Sequence, residues 1–599
     1  MNDEGISPKG ALQVPRDAAP QLMWQTVVAV LIFTCLATRL ITGFQSHPKT
    51  VNDEEPRPVR KAPYWIPWLG HGVPFALGQQ SFIGRVKDWI CEPVFSLHLA
   101  GKTHNMIMAP SIAKSALAHR ALSADSVYDR VMHKVFGDPG PIRNMDAQQT
   151  KALDEATSLF MREPHVTETT SALVRLLETE TPNLVSFSHS AVDQSFWERP
   201  SGVVLIEEGD KPTCEVDLFK LVRHFVGYIT STVFMGRAFV DFHPVLLDDL
   251  FTFDKYFNLL LLGIPRWVPL PGVSAAYAAR HRLLRIMTVF HASFASFDEG
   301  RDPGFDFRDL EDVSEPMKAR MRFWKKAGFA PAASAPGDLM IFWAMNTNSP
   351  TVVFWNLIHI LSDPDLLAAI RREIAPYAKA HRPGFEDTGL PFTEPPRISL
   401  DLDGLLTSCP LLKATYLETL RMDTAPFSYR QATTGLTLTE STQDASIDGI
   451  PEPRTYNFYK GDYLAIPHGA QARDPRLFPN PDKFDPSRFI RTDPSTGKQT
   501  AELDPGKGQT LRPFGGGSTI CKGRIFAEKQ VLAFVASILS LWDIELVDDG
   551  GNSSTWGGDN INSNSDNKDN SNNNTQRHQP TSGAYVPKGA VKARLRHRV

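Results

Sequence analysis

The sequence predicts a mainly α protein with small β-sheets (α+β), held behind one N-terminal transmembrane helix. Three observations point there. From roughly Ala113 to Leu420 apolar residues recur at i, i+3 and i+4, as in DLFKLVRHFVGYITSTVFMG and HRLLRIMTVFHASFASF, the pattern of helices that bury one face. Ahead of them, the 21 residues from Ala18 to Thr38 carry no charge. Short β-rich runs, VFSLHLAGKTHNMIMAP and the closing AYVPKGAVKARLRHRV, read as a hairpin around Gly101-Lys102 and a terminal strand. A chain of 599 residues, 42% hydrophobic and 22% charged, has material for a large core, which excludes global disorder and a multi-span membrane protein. A net charge of −4 offers no basic field for nucleic acid.

Taken in order, the chain divides into a short tail (1–17), an anchor (18–40), a proline-rich hinge (41–75), a main body (76–548), an Asn/Ser-rich disordered insertion (549–579) and a C-terminal strand returning to the body (580–599). As a helix the 21-residue uncharged run of the anchor spans about 31 Å at roughly 1.5 Å per residue, matching a hydrocarbon core of about 30 Å. Trp24 sits near one end, where an amphipathic ring suits the interface. A cleaved signal peptide is the alternative, against which stand the long, mixed-charge leading segment and the lack of an A-x-A site. Two basic residues precede the anchor and five follow it closely (Arg39, Lys49, Arg57, Arg60, Lys61), which places the body on the cytosolic side. KAPYWIPWLGHGVPFA is too rich in Pro and Gly for a helix and reads as stiff turns. The segment NINSNSDNKDNSNNN cannot bury enough apolar surface to offset its ordering entropy.

Five cysteines lie far apart with no CxxC pair, which argues against a disulfide framework and for a reducing compartment. One of them has unusual neighbours. Gly515 to Gly517 precede Cys521, Gly523 follows, and from Arg524 the apolar residues recur at helical spacing. Cys521 therefore stands at the mouth of a helix, where orphan N–H groups and the macrodipole favour a thiolate. The glycines allow close backbone approach to a flat ligand. No GxxxxGK[ST] or GxSxG motif is present there.

PFGGGSTICKGR resembles the haem-binding loop of the cytochrome P-450 superfamily, FxxGxRxCxG, through Phe514, Gly517, Cys521 and Gly523, with Thr519 where the family usually has Arg. YLETLR supplies an ExxR pair, Glu418 and Arg421, on one helix face, and PNPDKFDPSRFI supplies PxRF with Arg488. The resemblance implies a haem-thiolate fold in which Cys521 is the axial ligand to the iron of haem b. It also implies a structural role for Glu418, Arg421 and Arg488 as one buried cluster. Arg430 and Arg512 are expected, by position, to meet the haem propionates.

The stretch DLMIFWAMNTNSPTVVFWNLIHILSDPDLLAAI reads as one long central helix, kinked by Pro350 near Ala344 to Asn346. Where most of the family has an acid followed by a threonine, this chain has Thr347 and Asn348. That departure resembles the branch of sterol 7α- and 12α-hydroxylases and prostacyclin synthase. Proton delivery is then expected through Thr347, Ser349 and water ordered by Asn348; simple bonding to the kinked backbone is the alternative. Residues Tyr256 to Val273 are apolar enough for a second contact with lipid or for a buried helix end.

The resemblance implies an endoplasmic reticulum, single-pass monooxygenase with a cytosolic catalytic domain. It would oxidise a lipophilic sterol, terpenoid or similar natural product, using O2 and electrons from NADPH through NADPH-cytochrome P-450 reductase. Lys522, Arg524 and Lys529 are a candidate docking face for that partner, a solvated helix start being the alternative. Two other readings stay open: an isomerase that rearranges a peroxide without a reductase, and a haem-binding carrier or sensor without turnover.

Overall fold

The computed structural model describes residues 18–46, 56–206, 211–384, 394–450, 452–503, 511–547, 578–579 and 583–599. The leading tail and nearly all of the Asn/Ser-rich segment lie outside them. The anchor forms a helix, Ala18–Gln45, longer than its uncharged run because Arg39 leaves the helix side and donates to Pro63 O at 2.6 Å. Met23–Gln45 has a mean hydropathy of 2.1, with only 6% of its most apolar window buried, so its apolar side chains face outward instead of packing on protein. Its C-terminal end is fastened to the proline-rich segment. Tyr64 N–H donates to Thr42 Oγ1 at 3.1 Å, and Arg60 Nε donates to Ser46 O at 2.8 Å.

Local sequence explains the elements that carry the body. The hairpin pairs Val94–Leu99 with Lys102–Ile107, and its turn is Ala100-Gly101, both with positive φ (47° and 78°), as a two-residue turn between twisted strands requires. These strands join Arg60–Lys61, Tyr463–Pro467, Phe427–Ala432 and Leu122–Ser123 in a six-stranded sheet. A second sheet inserts the C-terminal strand Lys592–His597 between Trp542–Leu546 and Thr213–Asp217, so the last residues of the chain complete the body. The helix Leu218–Met235 starts where the Asp217 carboxylate accepts the Lys220 N–H and stops at Gly236, φ 85°.

The main core lies between that helix, Val273–Asp298, the central helices, Pro410–Asp423 and Arg524–Leu541. The central stretch is not one long helix. It runs from Pro331 to Thr347, breaks at Asn348, resumes from Ser349 to Leu361 and then ends. Asp363 caps a separate helix, Pro364–Ile374, bent by 114° from its predecessor. An N-cap aspartate followed by Pro at the first helical position is a start signal, and it overrides the apolar continuity read from the sequence. The segment Tyr256–Val273 divides between its two readings: Phe257 and Leu260 are buried, while Leu262, Trp267 and Leu270 are exposed.

Candidate functional site

Two helices and a loop build the site from opposite sides. On the first helix, Pro410–Asp423, Glu418 and Arg421 are fully buried one turn apart. Arg421 donates from Nε to Glu418 Oε2 at 2.7 Å and from Nη2 to Oε1 at 2.8 Å, a bidentate fork that suits a carboxylate. Its Nη1 donates to Ala472 O at 3.0 Å. Arg488 approaches the same carboxylate from the PxRF turn at 3.3 Å, and Asp485 N–H donates to it at 2.9 Å. Two segments 67 to 70 residues apart thus meet on one buried carboxylate, and Arg421 links a third through Ala472 O.

The Cys521 loop leads into the second helix, Arg524–Leu541. Gly515 and Gly517 have φ of 70° and 66°, a region that L side chains rarely adopt. A Cβ on Gly517 would overlap the Leu117 carbonyl, whose carbon would stand 3.1 Å away; on Gly516 it would stand 2.8 Å from Leu117 Cδ1. The loop therefore lies flat on the end of the Pro110–Ala118 helix. Phe514 packs against the main core and its carbonyl accepts the Cys521 N–H at 3.0 Å.

Cys521 is an exposed residue on the loop, with enough protein around it for burial to act on its thiol. Burial raises its pKa, opposed by the N–H groups of Gly523 and Arg524 and by the Arg524 charge. The N–H groups at the helix start act toward the thiolate, as the sequence leads one to expect, and burial of the sulfur acts against them. A bound cation deprotonates a coordinating thiol outright.

Arg430 and Thr519 meet. Arg430 Nη2 donates to Thr519 Oγ1 at 2.7 Å and to Gly516 O at 3.2 Å, so an arginine from the sheet reaches the position where the loop itself lacks one. His468, which sequence reading missed, lies 2.9 Å from Ser428 Oγ through Nε2. Burial pushes its pKa down to about 4, and the nearby Arg512 and Arg430 charges push the same way. Among the described residues Arg430 forms no ion pair with a carboxylate. Two arginines, the buried Arg430 and the half-buried Arg512, with a neutral His468 beside them, gathered next to a glycine loop that carries an exposed cysteine, fit a haem with its propionates at the arginines. No local motif marks His468; only the sheet brings it there. Tyr416 was also missed: its hydroxyl is buried without a hydrogen-bond partner, near enough to feel the Glu528 and Cys521 charges.

On the distal side the three expected residues separate. Thr347 is 5% exposed and its Oγ1 has no hydrogen-bond partner among the described residues. Ser349 is the first residue of the resumed helix. Asn348 Oδ1 is already used, accepting the Ala584 N–H at 3.0 Å, so the carbonyl expected to order water is bonded to the chain's own C-terminal segment. Ala344 is exposed although Phe342, Asn346 and Thr347 around it are buried, so the helix faces open space there.

A cavity of about 680 Å3 lies elsewhere, beside the Gly72–Ile90 helix, and takes no lining from the Cys521 loop or the central helices. Its charges pair with one another, Lys87 with Asp474 and Arg476 with Asp448 and Asp474, so it presents a neutral ion-pair lattice.

Comparison with known proteins agrees with the site. Residues 337–557 match the family model described as Cytochrome P450. The chain is 25% identical over 492 residues to the cytochrome P450 monooxygenase poxD of Penicillium oxalicum, covering 81% of this chain and 87% of that one. It is 24% identical over 543 residues to the pig (Sus scrofa) 5-beta-cholestane-3-alpha,7-alpha-diol 12-alpha-hydroxylase, covering 88% and 93%. With the prostacyclin synthase of Rattus norvegicus it shares 26% over 496 residues, covering 80% and 86%.

Proposed function

We propose that this chain, whose residues 337–557 match the cytochrome P450 family model, is a monooxygenase of that family and oxidises a lipophilic sterol, terpenoid or similar natural product at a membrane. Residues 76–548 and 580–599 form the haem-binding catalytic domain. The observation that carries the reading is the Cys521 loop: an exposed cysteine, flanked by the Gly523 and Arg524 N–H groups, on a glycine loop pressed against Leu117. Cys521 would hold haem iron, and Arg430, His468 and Arg512 would face the propionates.

When bound, the haem supplies the oxidising chemistry at an iron made electron-rich by a thiolate. The chain's own residues do the rest. Glu418, Arg421 and Arg488 fix the segment that flanks the loop. Arg430 holds Thr519 and with it the approach of the backbone to the sulfur. Thr347 Oγ1 is buried with no hydrogen-bond partner among the described residues, which supports it as the hydroxyl that would pass protons.

The lipophilic substrate and the membrane rest on the same surface. Phe33 and Phe44 of the anchor are 73% and 77% exposed, and Trp65 and Trp68 beside its end are 52% and 68% exposed. Amphipathic rings beside an apolar helix suit a bilayer interface, the basic flanks support a domain on the cytosolic side, and the endoplasmic reticulum is the membrane we assign. NADPH-cytochrome P450 reductase would dock at the basic helix start of Lys522, Arg524 and Lys529.

NADPH-dependent oxygen uptake by the full chain with reductase, screened against sterol and terpenoid panels, tests the reading. Coupled uptake with a hydroxylated product is expected. Product formed from a peroxide with neither NADPH nor reductase would favour the second reading, an isomerase, which the Thr347–Asn348 pair in place of acid and alcohol supports.

A further inference from the structure

Asn348 stands where the central helix breaks, immediately before Ser349–Leu361. Asparagine at such a position normally accepts an N–H from the second or third helical residue. Here the second residue is Pro350, which has no N–H, and the Asn348 side chain caps nothing in its own helix. It turns toward the chain end, where Oδ1 accepts the Ala584 N–H at 3.0 Å. The neighbouring residue is shaped to it. A Cβ on Gly583 would overlap the Asn348 amide oxygen and stand 2.9 Å from Cγ and 3.2 Å from Nδ2, so only glycine lets the amide reach Ala584.

The same three residues are laced down from other sides. Ala425 N–H donates to Gly583 O at 2.8 Å, and Tyr585 N–H donates to Asp423 O at 2.9 Å. Trp355 Nε1, about two turns along the helix from Asn348, donates to Tyr585 O at 2.7 Å. From Ala425 the contacts continue toward the thiol loop. His468 N–H donates to Pro426 O at 3.1 Å, His468 Nε2 lies 2.9 Å from Ser428 Oγ, and a Cβ on Gly515 would stand 3.2 Å from that hydroxyl.

We propose that Asn348 is a positioning residue that ties a C-terminal strap, Gly583–Tyr585, to the break in the central helix, so that the strap fixes the wall of the site beside Thr347. Asn348 then holds protein where the sequence pattern suggested it would hold water, and Thr347 takes its place from a break locked by that bond. The strap returns to the fold after the Asn/Ser-rich segment, so the position of the chain's end becomes part of the site's shape. The functional consequence rests on the haem-thiolate reading; the tie itself does not.

Hydrogen–deuterium exchange of the peptide covering residues 583–587 tests it, in the full haem-loaded chain in detergent. Asn348→Leu removes the acceptor and is expected to speed exchange about fivefold, the factor one buried hydrogen bond supplies. Asn348→Asp keeps an oxygen acceptor and is expected to stay within about twofold of the parent. Gly583→Ala should behave like Asn348→Leu, and combining the two should add little. Should Asn348→Leu not fold, the Gly583→Ala and Asn348→Asp pair carries the comparison. Unchanged exchange in Asn348→Leu or Gly583→Ala, or equal acceleration in Asn348→Asp, would overturn the proposal. The carbon monoxide spectrum of the same samples reports the haem-thiolate reading separately, so either can fail alone.

Discussion

Arg421→Ala should be the most damaging single change in the buried charge cluster, and Arg488→Ala a mild one. Arg421 is fully buried and donates to both oxygens of Glu418, to Ala472 O and, at 3.4 Å, to Lys483 O. Its removal leaves the fully buried Glu418 with only the Asp485 N–H at 2.9 Å and Arg488 at 3.3 Å. Breaking a buried pair by deleting one partner costs about 3–5 kcal/mol. That is about a fifth or more of a typical stability of roughly 5–15 kcal/mol. Arg488 is 12% exposed and gives up one long contact to Glu418 and one bond to Asn480 O at 2.9 Å, a cost of about 1–2 kcal/mol. Denaturant unfolding followed by tryptophan fluorescence should rank parent, Arg488→Ala and Arg421→Ala in that order, the last with the least haem retained on purification. Equal losses in the two variants, or a loss below about 1 kcal/mol for Arg421→Ala, would refute the assignment of Arg421 as the partner that neutralises Glu418.

Other outcomes follow from the same geometry. Gly517→Ala forces a Cβ onto the Leu117 backbone at positive φ, so haem incorporation, read as the Soret-to-protein absorbance ratio, should fall several-fold. Arg430→Ala and Thr519→Val each break the 2.7 Å bond that pins the loop to the sheet; the first should lower haem retention more, because it also removes a cation from the propionate side. His468 titrates at about 4 when folded and near its ordinary value when unfolded, so the unfolded chain binds the extra proton between those values. Stability should therefore fall as pH drops from about 6.5 to 4, by up to about 3 kcal/mol from this group, and His468→Gln should flatten that slope in pH-dependent unfolding.

Much of this fold was legible because its signals are local. Asp217 and Gly236 bracket a helix that the apolar periodicity already announces, and the Ala100-Gly101 turn sits between alternating runs. The Cys521 loop, Glu418, Arg421 and Arg488 were legible as spaced motifs, and the fold brings the last three onto one carboxylate. What sequence missed is long-range. His468 reaches the loop region only because Tyr463–Pro467 pairs with Phe427–Ala432, and nothing near it in sequence signals that. Asn348 was read as a water ligand because its partner, Ala584, lies 236 residues away. The sequence suggests too long a central helix because apolar content continues past the break at Asn348 and through Asp363-Pro364, where the Asp363 cap starts a new helix.

The central claim is that Cys521 binds haem iron as a thiolate, and the absorption spectrum of the reduced, carbon monoxide-bound protein tests it most directly, before and after Cys521→Ala. The account predicts a strongly red-shifted Soret band in the parent that is lost in the variant. A Soret band typical of histidine-ligated haem, a band that survives Cys521→Ala, or a protein that binds no haem would contradict it.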